Sequence, residues 1–94
     1  MGRYLILSNL TDEGAKTLKK NPERIKEVNE ELKKMDVNVI EQYAILGNID
    51  FVSVVEADDD ARLAKAVVEL ASRGSVKTMT YRAIPIDEFI ESLK

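Results

Sequence analysis

With 94 residues the chain has room for one hydrophobic core, over residues 1–94, and no second domain. It contains neither cysteine nor histidine, so disulfides, thiolate nucleophiles, the commonest general base and the usual zinc ligand are all excluded. A net charge of -3 and an aromatic share of 5% argue against nucleic acid or an anionic membrane as partner.

Charged residues reach 33%, above the ~25% of ordinary globular chains, and that balance of both signs is compatible with a thermophilic source. No apolar run approaches the ~20 residues of a membrane span. Met1-Gly2-Arg3 leads straight into strand-like sequence without the layout of a signal peptide, and the expected location is the cytoplasm.

Arg3 to Ser8 is a short apolar run rich in β-formers and is predicted as the first strand. Thr11 then suits a helix N-cap, with Asp12 and Glu13 where the helix dipole favours acids, although Gly14 weakens the helix locally. Asn21-Pro22 breaks that helix, because proline disfavours helical geometry in the residue before it yet suits the first turn of a new helix. Ile25, Val28, Leu32 and Met35 continue at helical spacing, so the segment reads as a broken helix or two helices in series.

Val37 to Ile45 and Phe51 to Glu56 are the second and third strands, joined by a hairpin centred on Gly47-Asn48. Asp58-Asp59-Asp60 opens a helix with Leu63, Ala64, Val67, Val68 and Ala71 on its predicted apolar stripe, and Gly74 closes it. Val76 to Ala83 is the fourth strand. After Pro85, the residues Ile86, Phe89, Ile90 and Leu93 form a short amphipathic tail. The resulting β-α-β-β-α-β order is the split βαβ pattern of an α+β, ferredoxin-like plait with a four-stranded antiparallel sheet.

The hairpin sorts side chains into faces. A two-residue loop pairs Leu46 with Ile49 and a four-residue loop pairs Leu46 with Phe51, and both give the same sorting because strands repeat every two residues. Ile40, Gln42, Ala44, Phe51, Ser53 and Val55 fall on one face. Val39, Glu41, Tyr43, Ile45, Asp50, Val52, Val54 and Glu56 fall on the other. Neither is a solvent face, and two helices cover only one of them. A second subunit is the economical cover for the other, through a twofold homodimer or a higher oligomer, with the amphipathic tail as the competing cover.

The segment Tyr43-Ala44-Ile45-Leu46-Gly47-Asn48-Ile49-Asp50, with Phe51 to Ala57 behind it, resembles the signature of the GYD domain family. Matches continue in Asp59-Asp60, in Gly74 to Ala83, and in Arg24 upstream, with Ile49 standing where a tyrosine is usual and Asp58 where a proline is usual. The resemblance implies a ferredoxin-like subunit that pairs through its sheets into a dimeric α+β barrel. It assigns no activity.

Two constellations invite chemistry. Asp58-Asp59-Asp60 offers carboxylates for a hard cation, but consecutive aspartates without a calcium-loop spacing read better as an N-cap with favourable dipole charges, and no metal is expected. Tyr43, Glu41, Asp50 and Glu56 share one predicted face, and Arg82 and Thr78 share one face of the last strand with Thr80. If those faces coincide, Arg82 meets Glu41, Asp50 or Glu56, and the cluster could hold a small anionic or phenolic ligand or form a structural ion pair. Gly47 is a turn residue, and no phosphate-cradling loop or cofactor motif is present. The expected function is a non-catalytic or small-ligand-binding oligomeric module. The alternative is a cofactor-free enzyme acting on a small organic substrate, by analogy with monooxygenases of similar architecture.

Overall fold

The computed structural model describes residues 2–94. Its elements run β1 (Gly2–Leu10), α1 (Asp12–Lys20), α2 (Arg24–Lys34), β2 (Val37–Ala44), β3 (Phe51–Ala57), α3 (Asp60–Ser72), β4 (Val76–Ala83) and α4 (Ile86–Ser92). The four strands form one antiparallel sheet in the order β2-β3-β1-β4, the ferredoxin-like arrangement expected from the sequence.

Local signals place the helices. Thr11 caps α1 by accepting from the Gly14 N–H, and Asp59 caps α3 by accepting from the Arg62 N–H. Gly74, at φ 75°, takes the left-handed position after α3 that a side chain rarely adopts. Pro22 sits in the turn between α1 and α2, where the Asn21 carbonyl accepts from the Arg24 N–H at 3.0 Å.

Helices α1, α2 and α3 lie on one side of the sheet. The core there holds Tyr4, Ile6, Leu32, Val37, Val55, Ala57, Leu63 and Ala66. Along α3 the inward stripe is Leu63, Ala66, Val67 and Leu70 rather than the predicted one: Ala64, Val68 and Ala71 are exposed. Ala66 and Leu70 follow Leu63 at +3 and +7, and the alternating small residues of this helix let two stripes look equally apolar.

The hairpin keeps the register of a two-residue turn, since Ala44 pairs with Phe51 and the Ile45 N–H donates to the Asp50 carbonyl at 2.8 Å. The ladder nevertheless ends at Ala44, and Ile45 to Asp50 forms an open loop with Leu46 fully exposed. A β-bulge between Val39 and Glu41 alters the predicted faces. Val37 and Val39 join the helix side, Ile40 is the extra residue, and Glu41 and Tyr43 turn to the other side.

That other side carries Leu5 and Leu7 of β1, Val52 and Val54 of β3, Met79 and Tyr81 of β4, and Tyr43 of β2. No helix covers it. Helix α4 has no buried residue and makes little contact with the rest of the chain, leaving Phe89 and Ile90 exposed. The molecule measures 50 × 29 × 18 Å, and its radius of gyration of 14.1 Å exceeds the ~12 Å of a closed globule of this length.

Candidate functional site

The cross-strand register decides which polar groups meet. Arg82 pairs with Tyr4 and Thr78 with Ser8, both on the helix side of the sheet. Glu41, Tyr43 and Glu56 lie on the open side. The two predicted faces therefore do not coincide, and the expected Arg82 partners Glu41, Asp50 and Glu56 are not its partners. A strand apolar on both faces gives no local sign of which face receives the helices.

Arg82 instead lies over the Tyr4 ring, with the guanidinium carbon 5.3 Å from the centroid, and Nη1 reaches Asp60 Oδ1 at 3.4 Å. The Tyr4 hydroxyl donates to the same Asp60 oxygen in a short hydrogen bond. That bond to Asp60, followed by burial, raises the phenol's pKa above its usual 10.0. A Cβ at Gly2 would stand 2.8 Å from the Tyr4 hydroxyl oxygen, so a larger residue there would require the ring to shift. Tyr4, Asp60 and Arg82 thus fasten the start of α3 to β1 and β4.

Asp50 acts as a bracket. Its carboxylate accepts from the Leu10 N–H at 2.8 Å, and its own N–H donates to the Ser8 carbonyl and to Asn9 Oδ1, both at 3.0 Å. On the open face, Tyr43 donates to Glu41 at 3.1 Å, which raises the tyrosine's pKa, and Glu56 pairs with Arg3 at 2.9 Å. These are separate pairs, not one cluster. Thr78 on β4 stands opposite Ser8 and makes no side-chain hydrogen bond to Glu41, Tyr43, Asp50, Glu56 or Arg82. Among the described residues no group of three or more acidic side chains is placed to hold a metal ion.

Two further features lie on the helix side. Glu31 of α2 accepts from Arg24 at 3.1 Å and, in a shorter contact, from Arg73 at the end of α3. Arg73 first, and Arg24 behind it, hold the Glu31 carboxyl below its usual 4.5. Beside this bridge, between the helices and the sheet, lies a cavity of about 150 Å³. Its walls include Leu18, Ile25, Val28, Phe51, Leu70 and Val76, with Ser53, Gln42 and Asn29 at one end. Sequence patterning placed Ile25 and Val28 on a helix stripe and Phe51 on a sheet face, but it did not single out Leu18 or Leu70 and could not show that these side chains fail to meet. The i, i+7 spacing of Arg24 and Glu31 was the one available sign of the bridge.

A four-stranded antiparallel sheet with three helices on one side and an apolar face on the other defines a ferredoxin-like α+β plait. The profile of the GYD domain matches residues 4–93, and the chain belongs to the GYD domain family. It is 60% identical, over 95 aligned positions spanning the whole of both chains, to the "Glutamine synthetase and cystathionine beta-lyase binding protein" of Thermus thermophilus. Solved structures share the fold. MtbAldR superposes with a TM-score of 0.64 at 22% identity over 89% of this chain, which spans about half (52%) of that one. FFRP-DM1 gives 0.59 at 28% identity, covering 89% of this chain and 100% of that one. TTHA0845, also from Thermus thermophilus, gives 0.57 at 22% identity, covering 90% and 95%.

Proposed function

We propose that this chain is a non-catalytic, cytoplasmic binding protein that self-associates through its open sheet face and docks onto metabolic enzymes. Glutamine synthetase and cystathionine β-lyase are the first candidates. The observation that carries this is the 60% identity, over its full length, to a relative named for binding those two enzymes.

The structure supports a protein-facing role in two further ways. Leu5, Leu7, Val52, Val54, Met79 and Tyr81 form an apolar patch with no cover among the described residues, and such patches on soluble proteins mark interaction surfaces. The exposed α4 adds a second apolar edge through Phe89 and Ile90. Glu41 and Tyr43 would then be polar rim contacts, and Arg82, Asp50, Glu56 and Thr78 would serve the fold. The cofactor-free enzyme has less support, because the polar residues of the open face stand in separate pairs.

Size-exclusion chromatography and surface plasmon resonance with the purified chain and each enzyme of its own source organism test the proposal. Co-elution with at least one enzyme and saturable binding are expected. A folded chain that binds neither enzyme would overturn the assignment.

A further inference from the structure

The helix side of the sheet is closed at one end and open at the other. At the closed end Tyr4, Val37, Ala57 and Leu63 are no more than 4% exposed. At the other, Leu10, Leu18, Ile25, Phe51, Leu70 and Val76 face inward yet stay only half-buried, and the 150 Å³ cavity lies among them. A mostly apolar pocket of this volume, open to solvent on one side, has room for a guest the size of benzene.

The frame around the cavity is fixed on two sides. On one, the Thr11 N–H donates to the Ser75 carbonyl at 3.0 Å and the Thr11 hydroxyl to the Gly74 carbonyl at 2.7 Å. Gly14 lies so close beneath Ser75 that a Cβ would come within 2.0 Å of its carbonyl oxygen. On the other, Glu31 ties Arg24 of α2 to Arg73 of α3. These contacts hold the start of α1 against the turn before β4, and α2 against the end of α3, on either side of the pocket.

One polar group points the chemistry. Ser53, only 7% exposed, accepts from Gln42 Nε2 at 3.0 Å, and Gln42 in turn accepts from Asn29 at 2.8 Å. The serine acts as an acceptor there, which leaves its own proton for an oxygen inside the cavity. Both arginines at the rim are already held by carboxylates, so the site offers no unpaired positive charge to an acid.

We propose that this cavity is a binding site for a small neutral molecule with an apolar body of about six carbons and one oxygen acceptor directed at Ser53. It lies across the sheet from the apolar open face and stands independently of the docking role.

Titration of the intact protein with benzyl alcohol, benzene and benzoate, followed by methyl NMR, tests this. Benzyl alcohol should shift the methyls of Leu18, Ile25 and Val76 saturably, give NOEs to them, and leave Leu5 and Val54 unmoved. It should bind at least about threefold more tightly than benzene, the worth of one modest hydrogen bond, and benzoate should bind more weakly. Ser53→Ala should erase the preference for the alcohol, and Val28→Phe, which fills the void, should weaken both neutral probes at least tenfold, as expected when a bulkier side chain occupies the space. No saturable shift with any probe, NOEs confined to the open face, or an unchanged preference in Ser53→Ala would overturn the proposal. If Val28→Phe does not fold, the wild-type NOE map decides alone.

Discussion

Glu31 joins two helices through two arginines, and its titration reports on the layer they form. The folded carboxyl titrates below 4.5 because Arg73 and Arg24 favour its charged form. A depressed folded pKa contributes stability that is present above the unfolded value and lost as pH falls through the folded one. Glu31→Gln should therefore lower stability near neutral pH by about 1 kcal/mol, the scale of a partly solvated ion-pair network. The gap between variant and wild type should close progressively as pH drops below 4.5, which thermal melts across a pH series would show. A constant gap would mean that packing, not charge, is being lost. Arg82 shows what the sequence could not convey at this scale. Its need for a carboxylate was legible, because a guanidinium lying over a sheet requires an acceptor. The partner was not, because Asp60 lies 22 positions away and meets it only once β4 is set beside β1.

Helix α2 was the most legible element, and it shows how periodicity separates packing from punctuation. Leu32 is 5% exposed, while Ile25, Val28 and Met35 lie half-buried on the same stripe. Pro22 is exposed in the turn before it. Leu32→Ala should cost ~2–5 kcal/mol by emptying a core position. Pro22→Ala should change stability by less than about 1 kcal/mol, acting mainly on the unfolded chain. Denaturant unfolding of both variants would compare them, and equal small effects would contradict the packing seen. Helix α3 was less legible, since Ala64, Val68 and Ala71 form a stripe as regular as the one that is buried. Burial there depends on where α3 meets β2, β3 and β4, which periodicity alone does not contain.

At the scale of the whole molecule, the order of elements and the two-sided apolar sheet were both readable from alternation and turn residues. The inner cavity and the faces of the polar residues were not, because each depends on how distant strands and helices are offset. Burying the open face against a second copy would remove several large side chains from water at ~1.5–3 kcal/mol each. Wild-type protein at micromolar concentration should sediment as a dimer or a multiple of one. Leu5→Lys, placed between Val54 and Tyr81 in the centre of that face, should weaken self-association at least tenfold without altering the circular dichroism spectrum, since an unpaired charge at a buried seam is costly. A monomeric wild type would refute self-association through this face.

The extra residue at Ile40 behaves like a single letter inserted into a message read in pairs. Upstream, Val37 and Val39 are read in the phase of the core; downstream, Gln42 is read toward Ser53 and Asn29, and Glu41 and Tyr43 toward the outside. Forcing Ile40 into the regular alternation would carry the upstream phase along the whole strand. Glu41 and Tyr43 would then turn beneath α2, and the amide that holds Ser53 would swing away. Striking the letter out altogether would leave both readings as they stand, because the ladder already skips it. One strand thus spells two surfaces, and Ile40 is the letter that belongs to neither.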